Sequence, residues 1–239
     1  MIPAAAPAPE PEHRGPVALA RPLFPAGVAL AGTDPRAPQP APWPEERAGL
    51  DRPRPERLRE FAAGRAAARR AMAQLGHPPA PVLHGLDRAP VWPAGLSGTI
   101  SHCRSACMAA VARADTAHAL GLDLEEDTPL PLDLIPAICT PEEAARLAQW
   151  PEDRRGRMAK VIFSAKECAY KAQFPLSRTL FGFQTLDLLL EPEAGRFTAR
   201  FVEDVAPFAA GTRLNGRFAI GDGLIVTAMV LARTDLRQV

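Results

Sequence analysis

At 239 residues the chain can bury a substantial core, either as one large domain or as two halves of similar size. Its 28 basic and 27 acidic side chains leave a formal charge of +1, which excludes a global field for nucleic acid or an anionic membrane, so an anionic partner must be captured locally. The chain is far larger than a disulfide-stapled secreted module and its four cysteines form no C-x-x-C pair, so reduced, mostly buried thiols are expected. No apolar run reaches the roughly 18 residues of a membrane span, and prolines interrupt every early apolar segment, so a cytoplasmic protein is expected.

The opening MIPAAAPAPEPEHRGP has little to bury, and residues 1–19 are expected to be an irregular arm. LFPAGVALAGTDP supplies a first strand, and the proline-punctuated PRAPQPAPWPEE a connection. PERLREFAAGRAAARRAMAQLGHPP is helical, with Leu58, Phe61, Ala68, Met72 and Leu75 at helical spacing and Gly76 and Pro78 as its stop. Arg65 falls on that apolar stripe, where an unpaired arginine is rare. It either snorkels to the rim, meets an internal carboxylate, or converges with Arg57, about 80° around the helix, on one anion.

PVLHGLDRAPVWPAGLSGTISHCRSACMAAVAR reads as two short strands, a Gly/Pro loop, and apolar material of strand or helix type. In HALGLDLE, Leu120, Leu122 and Leu124 alternate with Gly121, Asp123 and Glu125, the period of a half-buried strand, so Asp123 and Glu125 share a face. TPEEAARLAQWPEDRRGRMAKVIFSAKECAYKAQF is expected to be helical, with Thr140 as N-cap and Pro141 at the first helical position. The tail alternates strands with Gly- or Pro-containing turns. No internal repeat is detectable.

Three clusters carry chemistry. Carboxylates at i and i+2 on one strand face form a half-shell for Mg²⁺, although acidic pairs on the wet side of a strand are commonplace. FSAKECAYK offers capping-box spacing between Ser164 and Glu167 and an i, i+4 pair of Glu167 with Lys171. Yet only Lys160, Lys166 and Lys171 are lysines in the whole chain, and two of them fall in these nine residues. Glu167 and Lys171 could supply a carboxylate for a metal or proton and a cation for a phosphate. In GTISHC, His102 sits with Thr99 and Ser101 after a Gly/Pro loop, a setting for phosphate.

The ordered set GTISHC, GLDLEED and FSAKECAYKAQFP resembles the 4′-phosphopantetheinyl transferases. The branch is the one serving siderophore and other nonribosomal peptide synthetases, of the enterobactin synthetase component D type. That branch shows G-S-I-S-H, G-x-D-x-E and F-S-x-K-E-x-x-Y-K in the same order at compatible spacing. REFAAGRAAARRAMAQLG and APVWPAGLSG resemble its arginine helix and R-x-P-x-W-P-x-G loop, so the similarity runs from about residue 45 to the C-terminal strand.

The resemblance implies an α+β fold of two similar subdomains related by a pseudo-twofold axis, with the active site in the cleft between them. Residues 20–119 would bind the phosphate and adenine of coenzyme A, and residues 120–239 would carry Mg²⁺ and the catalytic helix. The implied reaction moves 4′-phosphopantetheine from coenzyme A to a serine of apo carrier proteins of peptide, polyketide or fatty-acid synthases, releasing adenosine 3′,5′-bisphosphate. A monomer is expected, with no nucleic acid and no membrane span. Asp123 and Glu125 would hold Mg²⁺ (or Mn²⁺), with Glu167 as ligand or base. Lys166 and Lys171 would face the pyrophosphate, and Arg57 and Arg65 the 3′-phosphate. Ser101 and His102 would give a second phosphate contact, and His84, Gly85 and Arg88 would border the nucleotide. A carrier would dock near Ala169, Phe174 and Pro175. The alternatives are a Mg²⁺-dependent phosphodiesterase or nuclease, and a noncatalytic carrier-protein or coenzyme A binding module.

Overall fold

The computed structural model describes residues 14–48, 50, 52–85, 87 and 89–232; Arg88, one of the expected nucleotide contacts, lies outside them. Helix α1 (Arg14–Ala20) precedes strand β1 (Val28–Thr33), a short α2 (Pro44–Arg47) and the long α3 (Pro55–Gln74). Residues 14–19 of the expected irregular arm therefore belong to a helix. They are ordered because Val17, Leu19 and Ala20 find an apolar cluster to cover. α3 ends where expected, on Gly76 at φ +69°. There Gly76 N–H bonds the Ala73 carbonyl and His77 N–H the Met72 carbonyl, the paired bonds of a Schellman stop.

A small hairpin of β2 (Leu83–His84) and β3 (Pro90–Val91) follows, then β4 (Leu96–His102) and β5 (Cys107–Arg113). The antiparallel sheet β1-β5-β4 packs one face on α3 through Ala29, Ala31, Ala109 and Val111 against Ala67, Ala71 and Met72. Gly64 lets this helix lie close, since a Cβ there would come 2.9 Å from Ile100 Cγ2.

The second half begins with β6 (Ala119–Glu126) and continues through α4 (Ile135–Ile138), α5 (Pro141–Ala148) and α6 (Glu152–Ser177). It finishes with β7 (Leu186–Glu191), β8 (Arg196–Phe201), β9 (Arg213–Gly221) and β10 (Leu224–Leu231). The strands form an antiparallel sheet in the order β6-β10-β9-β8-β7. Thr140 caps α5 with a reciprocal bond to Glu143, as expected. The single helix expected from 140 onward is instead two, because Pro151 lacks the N–H a continuing helix needs and becomes the N-cap of α6.

The two sheets face each other across Leu30, Met108 and Ala110 on one side and Leu120, Leu122, Leu124, Val226 and Ala228 on the other. α6 covers the opposite face of the larger sheet through Ala165, Cys168, Ala169 and Ala172 against Ala119, Ile225 and Met229. The fold is α+β, with one long helix on each of two antiparallel sheets. The edge strand β4 of the first sheet meets the edge strand β6 of the second.

Candidate active site

Asp123 stands where these two edges and α6 converge. Gly121 makes the convergence possible: a Cβ there would overlap the Cys168 carbonyl oxygen and lie 3.0 Å from Ala172 Cβ, so α6 rests directly on the β6 backbone. Two residues along the same face, Asp123 Oδ1 receives Lys171 Nζ at 2.6 Å and Ser101 Oγ at 3.0 Å, and Lys171 Nζ also donates to Ser101 Oγ at 3.1 Å. Asp123 is only 4% exposed, and its second oxygen, Oδ2, is buried with no partner among the described residues. Burial opposes the Lys171 charge, but Asp123 beside it outweighs that and holds the ammonium above its ordinary range.

Glu125, on the same strand face, receives Lys160 Nζ at 2.7 Å, while burial pushes its carboxyl upward. Glu167 is half-buried one turn before Lys171. Burial raises its carboxyl; Lys171 opposes this, and the charges of Asp123 and Glu125 reinforce it, so the three acids feel one another. Glu167 also borders a pocket of about 160 Å³ walled by Tyr170, Phe181, Phe183 and Leu186. A larger cleft of about 500 Å³ opens on the other side of Tyr170, between Lys171, Phe174 and Arg178 of the α6 end and Trp92 and Thr99 of the first half.

Lys166 does not face this site. It is 1% exposed and its ammonium is saturated by Glu143 at 2.7 Å, the Phe183 carbonyl at 2.8 Å and the Ile138 carbonyl at 2.9 Å. The reason is angular: at 100° per residue Lys160, Glu167 and Lys171 share one face of α6, whereas Lys166 stands about 100° away from Glu167. The same arithmetic identifies Lys160, which the motif reading passed over. Ser164 caps nothing either, because it is buried in mid-helix with its hydroxyl 2.9 Å from Thr227 Oγ1. Ala169 and Phe174, expected as docking contacts, are buried, and of that trio only Pro175 is exposed.

On the first half, Arg57 is exposed at the start of α3 with Nη1 3.0 Å from His102 Nε2. Arginine has only donors, so Nε2 accepts and the imidazole proton sits on Nδ1. Burial, reinforced by Arg57 and Lys171 against Glu60, holds His102 below its usual range and so neutral. Arg65 is 6% exposed with its guanidinium 4.2 Å over the Phe61 ring, which explains its place on the apolar stripe. Nη2 bonds the Leu83 carbonyl at 3.4 Å, Nε is buried without a partner among the described residues, and burial brings its pKa down to about 10. Arg57 and Arg65 share no hydrogen-bond partner among the described residues. The Leu83 contact and the His84 ring, 6.2 Å from Phe61, bring His84 to the same side of α3 as Arg65, while Gly85 N–H bonds the Ala89 carbonyl.

Mg²⁺ takes oxygen ligands and keeps open positions for water and phosphate. Among the described residues no three His, Cys, Asp or Glu side chains form a ready metal cage, so Asp123, Glu125 and Glu167 are not gathered as one. The donor chemistry still fits: two carboxylates on one strand face, a third on the helix opposite, and a buried, unpartnered Asp123 Oδ2.

The family profile described as "4′-phosphopantetheinyl transferase N-terminal domain" matches residues 45–112, and that of the "4′-phosphopantetheinyl transferase superfamily" matches residues 119–225. The chain is 42% identical over 194 residues to the 4′-phosphopantetheinyl transferase Svp of Streptomyces mobaraensis, covering 80% of this chain and 78% of that one. It is 36% identical over 198 residues to the 4′-phosphopantetheinyl transferase PptT of Mycobacterium tuberculosis, covering 80% and 86%. Enterobactin synthase component D of Escherichia coli is 36% identical over 132 residues, covering 54% and 61%. The solved structure of Thermotoga maritima holo-[acyl-carrier-protein] synthase matches with a TM-score of 0.38 and 17% identity, covering 48% of this chain and 63% of that one.

Proposed function

The chain belongs to the 4′-phosphopantetheinyl transferase superfamily, and on that premise we propose how its residues move 4′-phosphopantetheine from coenzyme A to a serine of an apo carrier protein. The observation that carries the reading is the Lys171, Asp123 and Ser101 junction at the meeting of β4, β6 and α6. It sets a cation, an acid and a hydroxyl at one point between the two halves. The transferase activity of the relatives favours transfer over the phosphodiesterase and binding-module alternatives.

In the reaction the carrier serine oxygen forms a bond to the β-phosphorus of coenzyme A, and the bond from that phosphorus to the bridging oxygen breaks. Adenosine 3′,5′-bisphosphate leaves with the bridging oxygen. Glu167, with its raised carboxyl, accepts the serine proton. Lys171, kept charged by Asp123, neutralises the departing phosphate. Arg57, with neutral His102 beside it, and the incompletely bonded Arg65 hold the nucleotide phosphate. Asp123 and Glu125, with Glu167 opposite, would hold Mg²⁺, which when bound polarises the pyrophosphate. The apolar pocket beside Glu167 suits the uncharged pantetheine arm.

Incubation with coenzyme A, Mg²⁺ and a panel of apo peptidyl, aryl and acyl carrier domains should give, by mass spectrometry, carriers heavier by one phosphopantetheine. Glu167→Gln should abolish the gain while melting like the parent. A folded parent protein that modifies no carrier would sink the reading.

A further inference from the structure

Every lysine in the chain ends on a carboxylate: Lys160 on Glu125 at 2.7 Å, Lys166 on Glu143 at 2.7 Å and Lys171 on Asp123 at 2.6 Å. The middle pair is sealed in the core. The outer two meet the acids assigned to the metal, and they do so differently. Lys171 takes Oδ1 of Asp123 and leaves Oδ2 without a partner, so Asp123 keeps an oxygen to offer. Lys160 instead caps Glu125, with the two side chains only 16% and 23% exposed, and its ammonium is held from a second side by the Phe163 ring, 5.4 Å below.

We propose that Lys160 is a built-in counter-ion, occupying Glu125 until a divalent cation displaces it, and that it thereby sets the metal affinity of the free enzyme. The proposal rests on Glu125 being a metal ligand. The charges of the cluster support displacement rather than coexistence. Asp123, Glu125 and Glu167 bring three negative charges, and Lys160 and Lys171 two positive ones. A divalent cation added to all five groups would leave the half-buried site with an excess positive charge. With Lys160 turned away on its flexible stem the same site is neutral. The cation and the ammonium therefore compete for one carboxylate. If the pair is closed in about nine molecules of ten, the apparent affinity falls about tenfold.

Mn²⁺ binding to the full-length protein without coenzyme A, followed by calorimetry and by the electron paramagnetic resonance of the free ion, tests this. Lys160→Met should bind Mn²⁺ about tenfold more tightly than the parent, and Lys160→Arg should stay within about twofold, since a guanidinium restores the competitor. Arg157→Met removes a nearby positive charge that pairs with Asp127 rather than Glu125. It should change the affinity less than about twofold at 0.15 M salt, where exposed charges are screened. Should Lys160→Met melt early, Lys160→Gln keeps a polar hydrogen-bond donor without the charge. Unchanged or weaker Mn²⁺ binding in folded Lys160→Met or Lys160→Gln, or equal tightening by Arg157→Met, overturns the proposal. A parent protein that binds no Mn²⁺ even with coenzyme A present overturns instead the metal reading beneath it.

Discussion

Replacing Gly121 by alanine tests how the site is assembled without touching any group that does chemistry. The added Cβ would overlap the backbone carbonyl of Cys168 and sit 3.0 Å from both the Cys168 carbonyl carbon and Ala172 Cβ. Neither obstacle is the end of a flexible side chain, so α6 must back away from β6. A retreat of about 1 Å restores ordinary contact at an interior packed this tightly. It would also stretch the Lys171 to Asp123 bond from its present 2.6 Å beyond hydrogen-bonding range. Overpacking of this kind costs about 1–3 kcal/mol, which at this chain length lowers the melting temperature by roughly 2–4 °C per kcal/mol. A misplacement of about 1 Å costs on the order of 100-fold in rate. Carrier modification under initial-rate conditions should thus fall about 100-fold in kcat/KM, in a protein that still melts cooperatively. Gly15→Ala is the control: nothing lies within 4 Å of its Cβ, and it should leave the rate unchanged. A folded Gly121→Ala variant with parental kcat/KM would refute the close approach as the device that aligns the site.

The Lys166 and Glu143 pair gives a second test. Lys166→Met alone strands Glu143, which is 0% exposed, and should cost about 3–5 kcal/mol by urea unfolding. The double variant Lys166→Met with Glu143→Gln removes both charges while its amide oxygen can still accept from one of the Thr140 and Leu188 N–H groups, so it should recover part of that loss, whereas an additive double mutant would show the pair to be uncoupled. Asp187 gives the third, in its pH dependence. Burial works against its charge, but hydrogen bonds from Arg146, Arg200 and Thr140 prevail and hold the folded carboxyl below its ordinary 3.8. A depressed acid contributes stability that is present above the unfolded pKa and lost as pH falls through the folded one. Asp187→Asn should therefore flatten the melting profile below about pH 4, and an unchanged acid limb would refute the assignment.

Strand and helix periods are local, so β1, β6, α3 and the four C-terminal strands were legible directly from the sequence. Arg65 on the apolar stripe was legible as an oddity. Its explanation, the Phe61 ring one turn earlier, was already within the same helix. What strand alternation could not convey is that both faces of β6 are covered. The polar face that would normally meet water lies under α6, which leaves Asp123 4% exposed. For that reason Asp123→Ala would cost stability as well as activity, since it would leave Lys171 without its counter-ion. The pairing of Lys166 was hidden for a different reason. Its partners come from α4, α5 and the turn before β7, which local sequence does not connect. The motif spacing placed Lys166 beside Glu167 in sequence, where helix geometry turns it to another face.

The junction of Ser101, Asp123 and Lys171 has a bearing on how the protein acquires activity as it folds. Its three contacts join residues separated by 22, 48 and 70 positions along the chain. None can form within a single hairpin or helix, and each requires a long loop to close first. Helical signal can return while α3 and α6 are still unmated, but turnover cannot. During refolding the enzyme should be the last property to reappear, so transferase activity itself reports that the two sheets have met.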